Sequence, residues 1–111
     1  MVVQIVQFQL DGIGPAEYEA EAERIAPAFA HLPGLIAKAW LADPGENTYG
    51  GVYLWTDRAA AEAYADGELL AAARRNPAFA GFRSSIFDTL AAPTAVTTRG
   101  LAGLSVTEAA A

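Results

Sequence analysis

Two apolar runs, "LIAKAWLA" at 35–42 and "YGGVYLWTD" at 49–57, are separated only by "DPGEN" at 43–47. Asp, Pro, Gly and Asn are turn formers. So short a connection makes the runs antiparallel neighbours in one sheet. Strand side chains alternate between faces with period two. In the second run this puts Val52, Leu54 and Thr56 on one face and Gly51, Tyr53 and Trp55 on the other. In the first it groups Ile36, Lys38 and Trp40 opposite Leu35, Ala37, Ala39 and Leu41. The hairpin thus has an aliphatic face and a face of aromatics with polar tips.

The rest of the chain falls into place around it. Residues 2–10, "VVQIVQFQL", read as a first strand, and "DGIGP" breaks the chain with Pro15 suited to the first turn of a helix. Over 15–32 Tyr18, Ala22, Ile25, Phe29 and Leu32 recur every three or four positions, one apolar helical stripe. Glu17, Glu19, Glu21 and Glu23 crowd the early turns, where the helix dipole favours negative charge. Pro27 inside this pattern removes one backbone bond and predicts a kink or break. Asp57 can cap a helix over 58–66, Gly67 interrupts it, and a further piece at 68–75 stops at Asn76-Pro77. Residues 81–90, "GFRSSIFDTL", read as a fourth strand. The order β-α-β-β-α-β predicts an α+β, ferredoxin-like antiparallel sheet. Residues 1–92 form the single domain of this reading. From Pro93 to 111 the chain is a small, polar tail, either mobile or laid on a partner subunit.

Composition narrows the function. At 111 residues the chain holds one core, and 53% apolar residues against 18% charged favours association over a lone globule. The net charge is −6 and the basic residues are scattered apart from Arg74-Arg75, so no stripe exists to neutralise nucleic-acid phosphates. Without cysteine, thiolate metal sites and cysteine nucleophiles are excluded, and one histidine cannot build a His-rich metal site. The opening strand, interrupted by glutamines and lacking a basic start, is unlike a signal peptide, and no run is long enough to span a bilayer. The expectation is a soluble cytoplasmic protein.

With both helices on one face of the sheet, the other face needs a cover. The aliphatic side of 49–57 is expected to meet the helices, and the Tyr53/Trp55 side to face the uncovered region. Lys38 and Trp40 join that side, and in the first strand Ile5, Gln7 and Gln9 match it, opposite Val6 and Phe8. Apolar concavity with a few polar groups is how small-molecule sites are built, and a second copy of the sheet would enclose it. The same stripe reads equally well as interface or core. Lys38 fits the latter less well unless its ammonium snorkels to the rim, because an unpaired buried charge is costly.

The segments "PGLIAKAWLAD", "YGGVYLWTDRAAAEAY" and "IFD" resemble the YdhR-type monooxygenases, members of the dimeric α/β-barrel group alongside the antibiotic-biosynthesis monooxygenases. The resemblance covers about residues 2–92 and is strongest from Pro33 to Tyr64, where Pro-Gly, Lys-x-Trp and Gly-Gly-x-Tyr-Leu recur; "APAFAHLPG" fits too. It implies a homodimer whose sheets form a barrel. It also implies cofactor-free oxidation of a small aromatic or polyketide-like substrate by dioxygen, with no flavin, haem or metal. "DGIGP" agrees, since Glu17 stands where a dinucleotide fingerprint wants glycine.

Such chemistry needs a substrate that reduces dioxygen once deprotonated, held away from water. The candidate catalytic residues are Lys38, to stabilise the anion, Tyr53, to hydrogen-bond a ring oxygen or peroxide, and His31 as base. Histidine is the usual proton carrier near neutrality, yet His31 also stands where it can serve the end of the first helix. Trp40, Trp55, Gln7, Tyr49 and Ile36 complete the candidate binding set. Arg83 and Asp88 read as surface charges. Two further functions fit the same barrel: a non-oxidative enzyme such as a cyclase, isomerase or dehalogenase, and a metabolite-binding protein. A purely structural dimer is the remaining alternative.

Overall fold

The computed structural model describes residues 1–99. Eight elements run in order: β1 (Val2–Leu10), α1 (Pro15–Ala30), β2 (Leu35–Asp43), β3 (Thr48–Trp55), α2 (Arg58–Ala65), α3 (Glu68–Arg75), β4 (Phe79–Asp88) and α4 (Ala91–Thr97). The strands form one antiparallel sheet in the order β2-β3-β1-β4, the ferredoxin-like arrangement that the sequence implies.

The local signals act as expected at most element ends. Pro15 opens α1, and the Gly14 N–H donates to the Glu17 carboxylate at 3.2 Å. Asp57 caps α2 by accepting from the Ala60 N–H at 2.9 Å. The β2–β3 turn tightens into a 3₁₀ turn at Pro44–Glu46, where Asp43 accepts from the Glu46 N–H at 3.3 Å. Asn47 follows in the left-handed region, and its amide holds the end of β1 both ways. It accepts from the Leu10 N–H at 3.2 Å and donates to the Leu10 carbonyl at 3.0 Å.

Two local expectations are corrected. α1 runs unbroken through Pro27 to Ala30. Pro27, and Glu23 whose carbonyl it leaves without an intrahelical donor, both lie on the exposed side, so no buried group goes unpaired. β4 begins at Phe79, two residues before the predicted start, because Phe79 packs into the core and pairs with Leu10. α4 straddles the expected boundary at residues 92 and 93, and residues 100–111 of the expected tail lie outside the described residues.

The larger correction concerns which face of the sheet meets the helices. Cross-strand partners share a face. Val2, Gln4 and Phe8 of β1 lie opposite Trp55, Tyr53 and Tyr49, and this face is the buried one: Trp55 is 0% exposed, Tyr49 2% and Tyr53 3%. The aromatic face therefore lies under the helices. Val3, Ile5, Val52 and Leu54, half-buried, form the open face with the exposed Phe87. Volume explains the inversion. Half of the core residues that α1 and α2 supply are alanines, Ala22, Ala60, Ala61 and Ala65, set beside Tyr18, Ile25, Phe29 and Tyr64, and the space over the alanines is left for the sheet to fill. Close packing then requires large side chains from the sheet.

Candidate active site

Lys38 stands opposite Tyr53 in the β2–β3 ladder, and Trp40 opposite Gly51. The glycine is what lets Lys38 reach inward, since a Cβ at position 51 would lie 2.8 Å from Lys38 Cε. Nζ ends 3.3 Å from the centroid of the Trp40 ring, 3.6 Å from that of Phe29 and 4.7 Å from that of Tyr53. Phe29 and Trp40 meet at 77°, so the amine sits in the corner of two ring planes. It makes no hydrogen bond or ion pair among the described residues; the four ion pairs there all use arginine. Burial pushes the Lys38 ammonium down to about 7. The ring faces favour the cation. The amine is therefore available in both protonation states near neutrality.

Behind it lies a layer of phenols and indole. The Tyr53 and Tyr64 hydroxyls are 2.8 Å apart, and burial raises both phenols, so they stay protonated at neutral pH. Tyr18, on α1, is pushed up to about 12 by burial and by its neighbours Tyr49 and Tyr64. The Trp55 ring stacks on Tyr53 at 5.9 Å and 5°. Its Nε1 donates to Gln4 Oε1 at 3.0 Å, and Gln4 Nε2 donates to Ser84 Oγ at 3.1 Å. Gln4 is completely buried, so this chain satisfies a polar group that nothing else could reach. Gln4→Leu leaves the indole N–H without its acceptor. The expected result is a loss of about 1–3 kcal/mol in urea unfolding, with a shift in tryptophan emission. An unchanged midpoint would mean that the indole finds another acceptor.

A cavity of about 380 Å³ opens between α1, α3 and the sheet. Val6, Phe8, Phe29, Tyr53, Leu70 and Phe82 give it apolar walls, Lys38 and Trp40 form one end, and Glu21, Arg24 and Asn76 supply polar edges. A second cavity, of about 420 Å³, lies between Leu32-Pro33, Trp55 and α2–α3. Tyr64 and Leu69 line both.

Of the predicted site residues, Lys38, Tyr53 and Trp40 meet in the first cavity. Trp55 faces the second. Tyr49 is buried behind Tyr18, their centroids 5.1 Å apart, and lines neither. Ile36 falls at a register shift of β2 and is 51% exposed, beside a hollow shared with Lys38 and Trp40. Gln7 is on the opposite face of the sheet, where its Oε1 accepts from Arg83 at 3.2 Å; odd positions of β1 point away from the helices. His31 is exposed at the C-cap of α1 and lines neither cavity, since the chain turns outward there into Leu32-Pro33. The residues of the first cavity that the sequence did not single out include Phe29 and Tyr64, while Gln4 supports Trp55 from within the core. Phe29 was visible as part of the α1 stripe. Tyr64 has only its helical spacing from Ala60 and Ala61 to mark it.

Residues 3–100 match the family described as "Putative mono-oxygenase ydhR". The chain belongs to this family. No curated protein sequence matches it. Among solved structures it is similar to the heme-degrader MhuD from Mycobacterium tuberculosis with two hemes bound in its active site: 28% identity over 81% of this chain and 96% of that one, TM-score 0.64. It is also similar to SnoaB, a cofactor-independent oxygenase from Streptomyces nogalater, as its N63A mutant: 29% identity over 79% and 91%, TM-score 0.61. An antibiotic biosynthesis monooxygenase, 15% identical over 81% and 99% with a TM-score of 0.64, shares the fold. The ydhR-family membership and the likeness to MhuD and SnoaB support a monooxygenase-like role. Among the described residues no three His, Cys, Asp or Glu side chains gather as a metal site. No described helix is long and apolar enough to cross a membrane.

Proposed function

We propose that this ydhR-family chain is a cofactor-independent, cytoplasmic monooxygenase that oxidises a small aromatic or polyketide-type substrate in the cavity between α1, α3 and the sheet. The observation that carries the proposal is Lys38, an amine without a counter-ion among the described residues, set between three aromatic rings at the end of an apolar cavity. A base is most effective when its pKa lies near the working pH, and Lys38 meets that condition. Its free amine takes a proton from an acidic ring C–H or phenol, and the ammonium so formed faces the new anion. The anion then delivers electrons to dioxygen. For an anthrone-like CH₂ the balance is CH₂ + O₂ → C=O + H₂O, with one oxygen atom retained. Trp40 and Phe29 hold the substrate ring, and the paired Tyr53 and Tyr64 hydroxyls offer hydrogen bonds.

Ligand supply favours this reading over haem degradation. Haem iron is held by His, Cys, Met or Tyr. The sole histidine is outside the cavity, the chain has no cysteine, its sole methionine is Met1, and burial keeps the cavity tyrosines protonated. The residues named lie within 1–92, the unit to which we assign the reaction. We take the working form to be a homodimer, with the apolar open face of Val3, Ile5, Val52, Leu54 and Phe87 covered by a second copy.

The test is oxygen uptake by metal-free protein offered anthrones, naphthols and polycyclic phenols. Uptake that saturates with substrate and matches quinone formation is expected. Saturable tryptophan quenching by the same compounds without uptake would replace the proposal with binding or non-oxidative chemistry.

A further inference from the structure

Lys38 is the sole lysine of the chain, and the six other basic side chains are arginines. An arginine could fill a ring-lined corner as a permanent cation, whereas lysine alone of the two can become a neutral nucleophile. Its surroundings permit that state. Glu21, the acidic residue lining the same cavity, is already held by Arg24, whose Nε donates to it at 3.0 Å. We propose that Lys38 Nζ forms an imine with aromatic aldehydes and ketones bound in the cavity between α1, α3 and the sheet. The inference rests on that cavity being the ligand site and not on the oxidation.

The amine lone pair attacks the carbonyl carbon, and one proton passes from nitrogen to the new alkoxide. The second N–H proton goes to the hydroxyl as the C–O bond breaks, so that water leaves and C=N forms. Carbonyl compound and amine give imine and water, without oxidant or reductant. Lysines desolvated in apolar pockets are the ones that do this near neutral pH, and burial holds Lys38 in that range. The Trp40 and Phe29 faces suit a planar carbonyl conjugated to a ring. The apolar walls limit the water that would reverse the step.

The test is reductive trapping under nitrogen with 1-naphthaldehyde and sodium cyanoborohydride, read by intact mass and peptide mapping. Only the α-amino group and Lys38 can be labelled, so the map assigns every adduct. Lys38 is expected to label at pH 7–8 on the order of 10-fold or more faster in the native protein than in urea, and excess 1-naphthol is expected to block it. Label confined to Met1, equal rates in native and unfolded protein, or labelling that naphthol leaves unchanged would each overturn the proposal. Because oxygen is absent, trapping at Lys38 stands even if no oxygen uptake is found, and uptake without trapping removes only the imine.

Discussion

Lys38→Met is expected to lose oxygen uptake by about 10²-fold or more, the range for removing a general base, while gaining stability near neutral pH. The two effects share one cause. Lys38 sits at about 7 in the fold, against about 10.4 for lysine in an unfolded chain. Below about 7 both states hold the proton, and the folded state carries the full cost of a desolvated ammonium. Between about 7 and 10.4 the unfolded chain keeps a proton that the folded chain has released. Stability therefore rises with pH through that window, by at most about 1.4 kcal/mol per unit. Methionine has no proton to hold, so its advantage is greatest below pH 7 and shrinks towards pH 10. The ring faces and the residual solvent contact of Lys38 reduce the gain to about 1–2 kcal/mol. The raised tyrosines act in the opposite sense, since above about 10 the unfolded phenols ionise first, but both proteins share them. Urea midpoints of the two proteins at pH 6, 8 and 9.5 measure the gap. A methionine variant that is less stable at pH 6, or a gap that ignores pH, would mean that the rings hold a permanent cation. Full oxygen uptake by this variant would remove Lys38 as the base.

The order of elements was legible because it rests on local chemistry. The span of β1, the start of α1 at Pro15, the Asp57 cap and the stop at Asn76-Pro77 follow from periodicity and turn formers. The facing of the sheet was not, because alternation separates two faces without saying which one the helices cover. Val52 and Leu54 look like core beside Tyr53 and Trp55 until the volume of the opposite layer is counted, where half of what α1 and α2 supply is alanine. The same inversion put Gln7 on the open face and Gln4 on the buried one, its polar role invisible until Trp55 and Ser84 stood beside it. Lys38, Trp40 and Tyr53 were grouped correctly because they lie on paired strands joined by a short turn. Phe29 and Tyr64 reach them from separate helices, a juxtaposition that only the packed layers create.

Gly50→Ala is expected to leave little folded protein. Gly50 has φ of 146°, a region that side chains with a Cβ rarely enter, at a cost of about 1–3 kcal/mol. A Cβ there would lie 1.9 Å from the Val6 carbonyl oxygen, 2.8 Å from its carbon and 3.0 Å from Gln7 Cα. These are backbone atoms of β1, which is hydrogen-bonded to β3 on one side and β4 on the other and has no room to retreat. Strain and collision together are expected to exceed about 4 kcal/mol, a large share of the 5–15 kcal/mol that a domain commands. Soluble yield and the urea midpoint measure it, and a loss under about 1 kcal/mol would show that β1 and β3 are not so closely apposed. The neighbouring Gly51→Ala is the control. Its new methyl meets the ends of Lys38 and Tyr53 at 2.8 and 3.1 Å, and the lysine can swing aside. That variant is expected to fold with a loss under about 1.5 kcal/mol and to trap 1-naphthaldehyde more slowly at a displaced Lys38. The two glycines thus separate by function: Gly50 admits the backbone of β1, and Gly51 admits the lysine.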